Sequence, residues 1–260
     1  MEAPVDNDFI LTPYFLDQPV PGLEPLAQPG WRMNKRHLPE GNLQHRMCAL
    51  HQPIADFVAR SIERGHRPVS IAGDCCAAIG VAAGLQRAGL DPVLVWLDAH
   101  GDFNTWETTH SNFLGGMPLA MLVGRGELTM VNAAGAHPLR EDRVILSDAR
   151  DLDAEEKQAL AGSRVSHLAD IHALLQHPLL SNALYIHIDT DIINPKDAPA
   201  MNYPAAGGPS AAELKAILRS VAQTTKSVAV SLSSWNPDMD KDGRSRTACM
   251  EVLHSLIGDA

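Results

Sequence analysis

Positive charge is scarce in this sequence. Lysine and arginine number 21 against 31 aspartates and glutamates, a formal net charge of -10. With no basic run, nucleic acid and anionic membranes are excluded as expected partners. The four cysteines, Cys48, Cys75, Cys76 and Cys249, are too few and too irregularly spaced for a disulfide framework. Cys75 and Cys76 are neighbours and would bridge only with backbone strain, so free thiols or a metal thiolate are expected. No apolar run approaches the ~20 residues of a membrane span. Residues 1–10 are acidic, unlike a signal peptide, so the cytoplasm is the expected compartment. Internal repeats and low-complexity linkers are also missing.

What is present is apolar surface, 45% of a 260-residue chain. That suffices for a large core, and one domain over residues 1–260 is expected. Strand signals fall at residues 8–16, 69–72, 93–97, 143–146, 165–168, 184–188 and 226–232. Helical signals fall at residues 43–64, 77–87, 116–123, 153–160, 169–175, 210–223 and 247–257. Ser210 followed by Glu213 reads as a capping box. Alternation of the two periods predicts a three-layer α/β/α arrangement around a mainly parallel, doubly wound sheet.

The chemistry gathers at two strand ends. Residues 93–97 form an apolar run that leads directly into Asp98, His100 and Asp102. The crevice beyond the carboxyl ends of parallel strands is where ligands bind. A second apolar run, residues 184–188, leads into Asp189 and Asp191, which share a face if the strand continues. Acids crowded in this way repel one another, and a divalent cation is the usual offset. One imidazole among carboxylates suits a hard to borderline ion such as Mn(II), and bridging carboxylates would hold two.

With these clusters in place the chain resembles the ureohydrolase superfamily of arginase, agmatinase and formiminoglutamase. The motifs run in family order: Gly73-Asp74-Cys75-Cys76; Asp98-Ala99-His100-Gly101-Asp102-Phe103-Asn104-Thr105; and Gly115-Gly116-Met117-Pro118. Arg150-Asp151-Leu152-Asp153, Asp189-Thr190-Asp191 with Pro195, Gly207-Gly208-Pro209-Ser210 with Glu213, and Asn236-Pro237 follow. The resemblance implies an arginase-like fold. It also implies a metal-bound hydroxide that attacks a guanidino or amidino carbon of a linear, amino-acid-like substrate and releases urea or an analogue.

By the same resemblance Asp98 and Asp189 bridge two divalent ions. His100 and Asp191 complete one, and Asp102 with position 75 the other. Asp102 is also a candidate catalytic residue, with His110 as a candidate proton shuttle. Asn104 and Ser111 match positions that hold a substrate carboxylate, and Asp153 one that receives an ammonium. Assembly into trimers or hexamers is implied likewise.

Three positions depart from arginases. Cys75 stands where the family has histidine, and its place at a helix start is expected to lower its pKa. A sulfur ligand moves preference from Mn(II) toward Zn(II) or Fe(II). An asymmetric metal pair, a single ion, or a neutral cysteine with no metal beside it all stay open. Gly115 stands where arginases carry the shuttle histidine. Ser234 stands where they carry a glutamate that pairs with the guanidinium, which points to a less basic substrate, an N-hydroxyguanidine as in N-hydroxyarginine or a formimino group. A superfamily branch acting on N-hydroxylated arginine is similar in having Cys at position 75. Two other readings remain: a catalytically silent arginase-like binding or oligomerisation subunit, and a thiol hydrolase using Cys75. Trp106, Trp235 and Tyr203 are candidates for lining the pocket.

Overall fold

The computed structural model describes residues 5–258. The ends of the expected 1–260 domain, and part of the acidic segment 1–10, lie outside the described residues. In chain order the strands are β1 (Asn7–Thr12), β2 (Tyr14–Phe15), β3 (Gln18–Pro19), β4 (Arg32–Met33), β5 (Arg67–Ala72), β6 (Val93–His100), β7 (Val144–Asp151), β8 (Ser166–Leu168), β9 (Ala183–Asp189) and β10 (Lys226–Ser233). The helices are α1 (Leu43–Glu63), α2 (Ala77–Arg87), α3 (Pro118–Leu122), α4 (Thr129–Ala134), α5 (Ala154–Ala161), α6 (Ala211–Thr224) and α7 (Arg244–Ile257).

Eight strands form one sheet in the order β4-β1-β5-β10-β9-β6-β7-β8, and every pairing in it is parallel. β2 and β3 make a separate antiparallel hairpin. Alternate residues of each central strand enter different cores. Val93, Val95 and Leu97 of β6 pack with Leu214, Ile217 and Leu218 of α6 and Val252, Leu253 and Leu256 of α7. Leu94 and Trp96 pack with Met47, Ile54 and Val58 of α1 and Ile79 and Val81 of α2. A strand buried on both faces has no polar side, which is why these segments read as near-continuous apolar runs. The arrangement is α/β/α in three layers, as expected.

Local signals hold where side-chain chemistry dictates backbone conformation. The capping box forms: Ser210 Oγ accepts from Glu213 N at 3.2 Å and Glu213 Oε2 accepts from Ser210 N at 2.8 Å. Elsewhere the expectations shift. The segment expected as one strand over residues 8–16 breaks at Pro13, which lacks the N–H a ladder needs, and turns into the β2–β3 hairpin. The loop after it holds a 3-10 turn, Pro21–Leu26. The helix expected over residues 169–175 is also 3-10, Ile171–Gln176. In the stretch expected as one helix over residues 116–123, a 3-10 turn, Leu114–Gly116, precedes α3.

Candidate metal centre

The central strands β5, β10, β9, β6 and β7 end on the same edge of the sheet. β6 runs on through Asp98 to His100. β9 ends at Asp189, where the chain enters a 3-10 turn, Thr190–Ile192. The strand continuation that would have put Asp189 and Asp191 on one face is therefore absent. The turn brings them together instead, with Asp189 Oδ1 accepting from Asp191 N at 2.9 Å.

Two groups of donor atoms result. In one, single ligand atoms of Cys75, Asp98 and Asp189 all lie within 4.8 Å of one another, and in the other those of Asp98, His100 and Asp191 do. Asp98 belongs to both. Its Oδ1 accepts from His100 N at 2.7 Å, and its Oδ2 accepts from the indole N–H of Trp96 at 3.0 Å. Asp191 Oδ1 accepts from Ala99 N at 3.2 Å, tying the 3-10 turn to β6. Asp102 is buried at the same cavity, and its Oδ2 has no hydrogen-bond partner among the described residues.

The electrostatics are those of crowded acids. Burial, then the charges of Asp98 and Asp189, push Asp102 well above the usual carboxylate range. Burial and the charges of Asp191 and Asp98 do the same to Asp189. Asp191 is pushed up to about 6, chiefly by burial and Asp98. Burial opposes a charged His100, yet its contacts with Asp191 and Asp98 raise it to about 12. This donor set fits a divalent cation pair: oxygen-rich, with Asp98 common to both groups and a buried acceptor left open.

Cys75 reverses one expectation. It precedes the first turn of α2 rather than lying in it, and is fully buried. Sγ donates to Asp189 Oδ2 at 2.6 Å and lies 3.1 Å from Ser233 Oγ. Burial first, then the charges of Asp189, Asp102 and Asp98, raise the thiol well above its ordinary value. The lowered pKa expected from a helix start is overturned, because burial and three nearby carboxylates outweigh the partial charge a helix end contributes.

The cavity over the cluster encloses about 500 Å³ and is lined by Cys75, His100, Asp102, Asp189 and Asp191 together with Asn104, Ser111, Asp153 and Ser234. Asn104 Nδ2 donates to Asp153 Oδ2 at 3.4 Å, so two of the expected substrate contacts engage each other. Ser234 Oγ donates to Asp189 Oδ2 at 2.5 Å. His110 is exposed, pairs with Glu155 at 2.6 Å, and is not among the cavity-lining residues. Tyr203 lines the cavity, Trp235 lines a neighbouring one, and Trp106 faces solvent with its indole donating to Glu127.

Several neighbours of the cluster went unflagged in the sequence. Trp96 lies 3.8 Å, centroid to centroid, from the His187 ring, whose Nδ1 is 2.7 Å from Ser231 Oγ. Burial lowers His187 to about 3, so its imidazole is neutral. Its sequence signal is position, two residues before Asp189 on a buried strand. Glu156 is buried on α5, lines the cavity and accepts from Phe103 N at 2.8 Å.

Burial pushes Glu156 up to about 7 from 4.5, helped by the charges of Asp153 and Asp98 and opposed by the Phe103 N–H. A raised folded-state pKa means the folded chain holds this proton more tightly than the unfolded chain. The associated stability is complete below pH 4.5 and is lost as pH rises through 7. Glu156→Gln is therefore expected to match the parent near pH 4 and to exceed it near pH 8, by on the order of 2–3 kcal/mol. Urea denaturation of chelator-treated protein at both pH values checks this. A difference independent of pH would contradict it.

Comparison with known proteins agrees with the geometry. A profile of the arginase family matches residues 32–258. An arginase of Bacillus subtilis (strain 168) is 29% identical over 224 residues, 82% of this chain and 76% of its own length. The crystal structure of arginase from Bacillus subtilis superposes with a TM-score of 0.82 at 25% identity, covering 98% of this chain and 99% of that one. The agmatine ureohydrolase of Thermoplasma volcanium shares the fold at a TM-score of 0.70 and 15% identity, covering 97% and 89%.

Proposed function

The chain belongs to the arginase family and is a hydrolase of amidino carbon–nitrogen bonds; from that premise we propose that it acts on a linear guanidino or amidino substrate at the Asp98-centred cluster. The observation that carries this reading is that two three-residue donor groups share Asp98, and that their other members, Cys75, Asp189, His100 and Asp191, line one cavity. Cys75, Asp98, Asp102 and Asp189 would hold one divalent ion, and Asp98, His100, Asp189 and Asp191 the other. Such ions, when bound, supply water activated near neutral pH and a positive field at the reacting carbon.

The chain's own residues do the rest. Asp98 is oriented by Trp96 and by the His100 amide, so that its carboxylate is presented in one rotamer. The open Oδ2 of Asp102 is a buried acceptor suited to the proton released on attack. Asn104, Ser111 and Asp153 line the cavity and offer polar contacts to the substrate. His110 would serve as proton relay at the rim only after leaving Glu155.

A second reading of the substrate rests on Ser234. Its hydroxyl is spent on Asp189 and offers no charge to a guanidinium. A strongly basic group buried there without an anion would be poorly held, which favours an N-hydroxyguanidine or formimino compound over arginine itself. Sulfur at position 75 favours Zn(II) or Fe(II) beside Mn(II). A single cytoplasmic catalytic unit assembled as a trimer or hexamer completes the reading.

Metal analysis of the purified chain, with a urea- or ammonia-release assay over guanidino, N-hydroxyguanidino and formimino compounds, tests it. Bound metal and turnover of one class are expected. No metal uptake and no turnover with Mn, Zn, Fe or Co would refute it.

A further inference from the structure

Three aromatic rings from three separate segments meet at the wall of the cavity. Phe15 comes from β2, Phe113 precedes the Leu114–Gly116 turn, and Tyr203 lies in the loop after Asp191. Phe113 and Tyr203 stand 4.8 Å apart between centroids at 44°, and Phe15 and Phe113 stand 6.1 Å apart at 18°. The position of Phe113 is linked to Gly115. A Cβ at 115 would lie 2.4 Å from two carbons of the Phe113 ring, so the ring occupies the room a side chain there would need. At position 115 this chain presents a phenyl face in place of a side chain.

Tyr203 is 51% exposed. Phe15 and Tyr203 also line a second cavity of about 370 Å³, so they partition two spaces. The other lining groups of the main cavity are chiefly carboxylates, amides and hydroxyls, with no lysine or arginine. An ammonium on the substrate already has Asp151 and Asp153 there as partners. A flat apolar group finds complementary surface in this wall.

We infer that Phe113 and Tyr203, backed by Phe15, determine specificity by contacting the non-reacting end of the substrate, which carries a planar apolar group. The inference rests on the reading of the Asp98 cluster as the reacting centre and adds the chemical class of the distal end. Tilted and offset ring contacts are favourable beyond the area they bury, so the selection is for flatness as well as apolarity.

The test uses alkyl-N-hydroxyguanidines of equal chain length ending in phenyl, ammonium or carboxylate, on metal-loaded protein. Parent, Tyr203→Ala, Tyr203→Phe and Phe113→Ala are compared for turnover and, by titration calorimetry, for binding. The parent is expected to prefer the phenyl compound by about tenfold in kcat/KM. Tyr203→Ala should erase most of that preference through KM, and Tyr203→Phe should restore it. Equal preference among the three ends, or a Tyr203→Ala loss equal for all three, would overturn the inference. Absence of turnover with every compound would count against the Asp98 cluster as the reacting centre instead. Calorimetry would then decide: phenyl-end binding about tenfold weaker in Tyr203→Ala supports the wall, and equal binding overturns it.

Discussion

Asp98→Asn is expected to lower kcat/KM by about a thousandfold or more and to remove most bound metal. Asp98 belongs to both donor groups, so one substitution withdraws a carboxylate donor from each. Changes to groups that merely orient ligands typically cost about 10–100-fold in affinity or activity, and loss of a shared ligand should exceed the upper end of that range. Metal bound at a thousand times its dissociation constant adds about 4 kcal/mol of stability to the parent. In the variant that increment should fall below about 1 kcal/mol. The metal-free variant should be no less stable than the metal-free parent, since one negative charge leaves a buried acid cluster. Thermal unfolding with and without Mn(II), alongside metal analysis, separates the two effects. An unchanged metal increment would show that Asp98 is not a ligand.

The same cluster sets a direction with pH. Asp191 is raised to about 6 and must be ionised to ligate, so below that value a proton competes with the cation. The metal-dependent part of the stability should therefore be larger at pH 8 than at pH 5. Asp102 and Asp189, both raised well above the usual range, act in the same direction.

Legibility in the sequence followed the range of the interactions involved. α2 begins and ends where its signal does, at Ala77 and Arg87, and α1 stops at Glu63 with Gly65 just beyond at φ +78. The acid clusters were visible because residues two apart at a strand end share their neighbourhood regardless of tertiary detail. α4 was missed: its six residues, Thr129–Ala134, depend on packing against α1 and α2 rather than on a periodic stripe. β4, only Arg32–Met33, exists because β1 offers it an edge. The Cys75 shift required knowledge that Asp98, Asp102 and Asp189 converge on it, which no local pattern encodes. Phe113 left a faint trace, the side-chain-free Gly115 two residues on, whose meaning emerges once the ring is seen lying over it.

Arg150 had been visible only as a member of a motif, and its structural role predicts the second large effect. The side chain is 16% exposed and pairs with Asp148. Its guanidinium also donates to the carbonyls of Asp191 and Ile192 at 3.0 and 3.2 Å, and to those of Ala205 and Ala206 at 3.1 Å each. It thus fastens the turn carrying Asp191 to the loop closed by Gly207 and Gly208. Gly208 has φ +80, and a Cβ on it would lie 2.6 Å from the guanidinium carbon, which accounts for glycine at this position. Arg150→Met leaves Asp148 uncompensated and four carbonyls without their donor. The expected loss is about 3–5 kcal/mol, a fall in Tm of roughly 10 °C for a chain of this length. Arg150→Lys should recover little, because an ammonium cannot reproduce the planar fork that spans these acceptors. Adding Asp148→Asn to Arg150→Met should return part of the loss, since the stranded charge is then gone. If Arg150→Met unfolds within 1 kcal/mol of the parent, an order-of-magnitude margin for a surface change, and keeps its metal, the fastening role is wrong. If instead stability and metal affinity fall together, Asp191 is held in place from behind by the backbone carbonyls that Arg150 gathers.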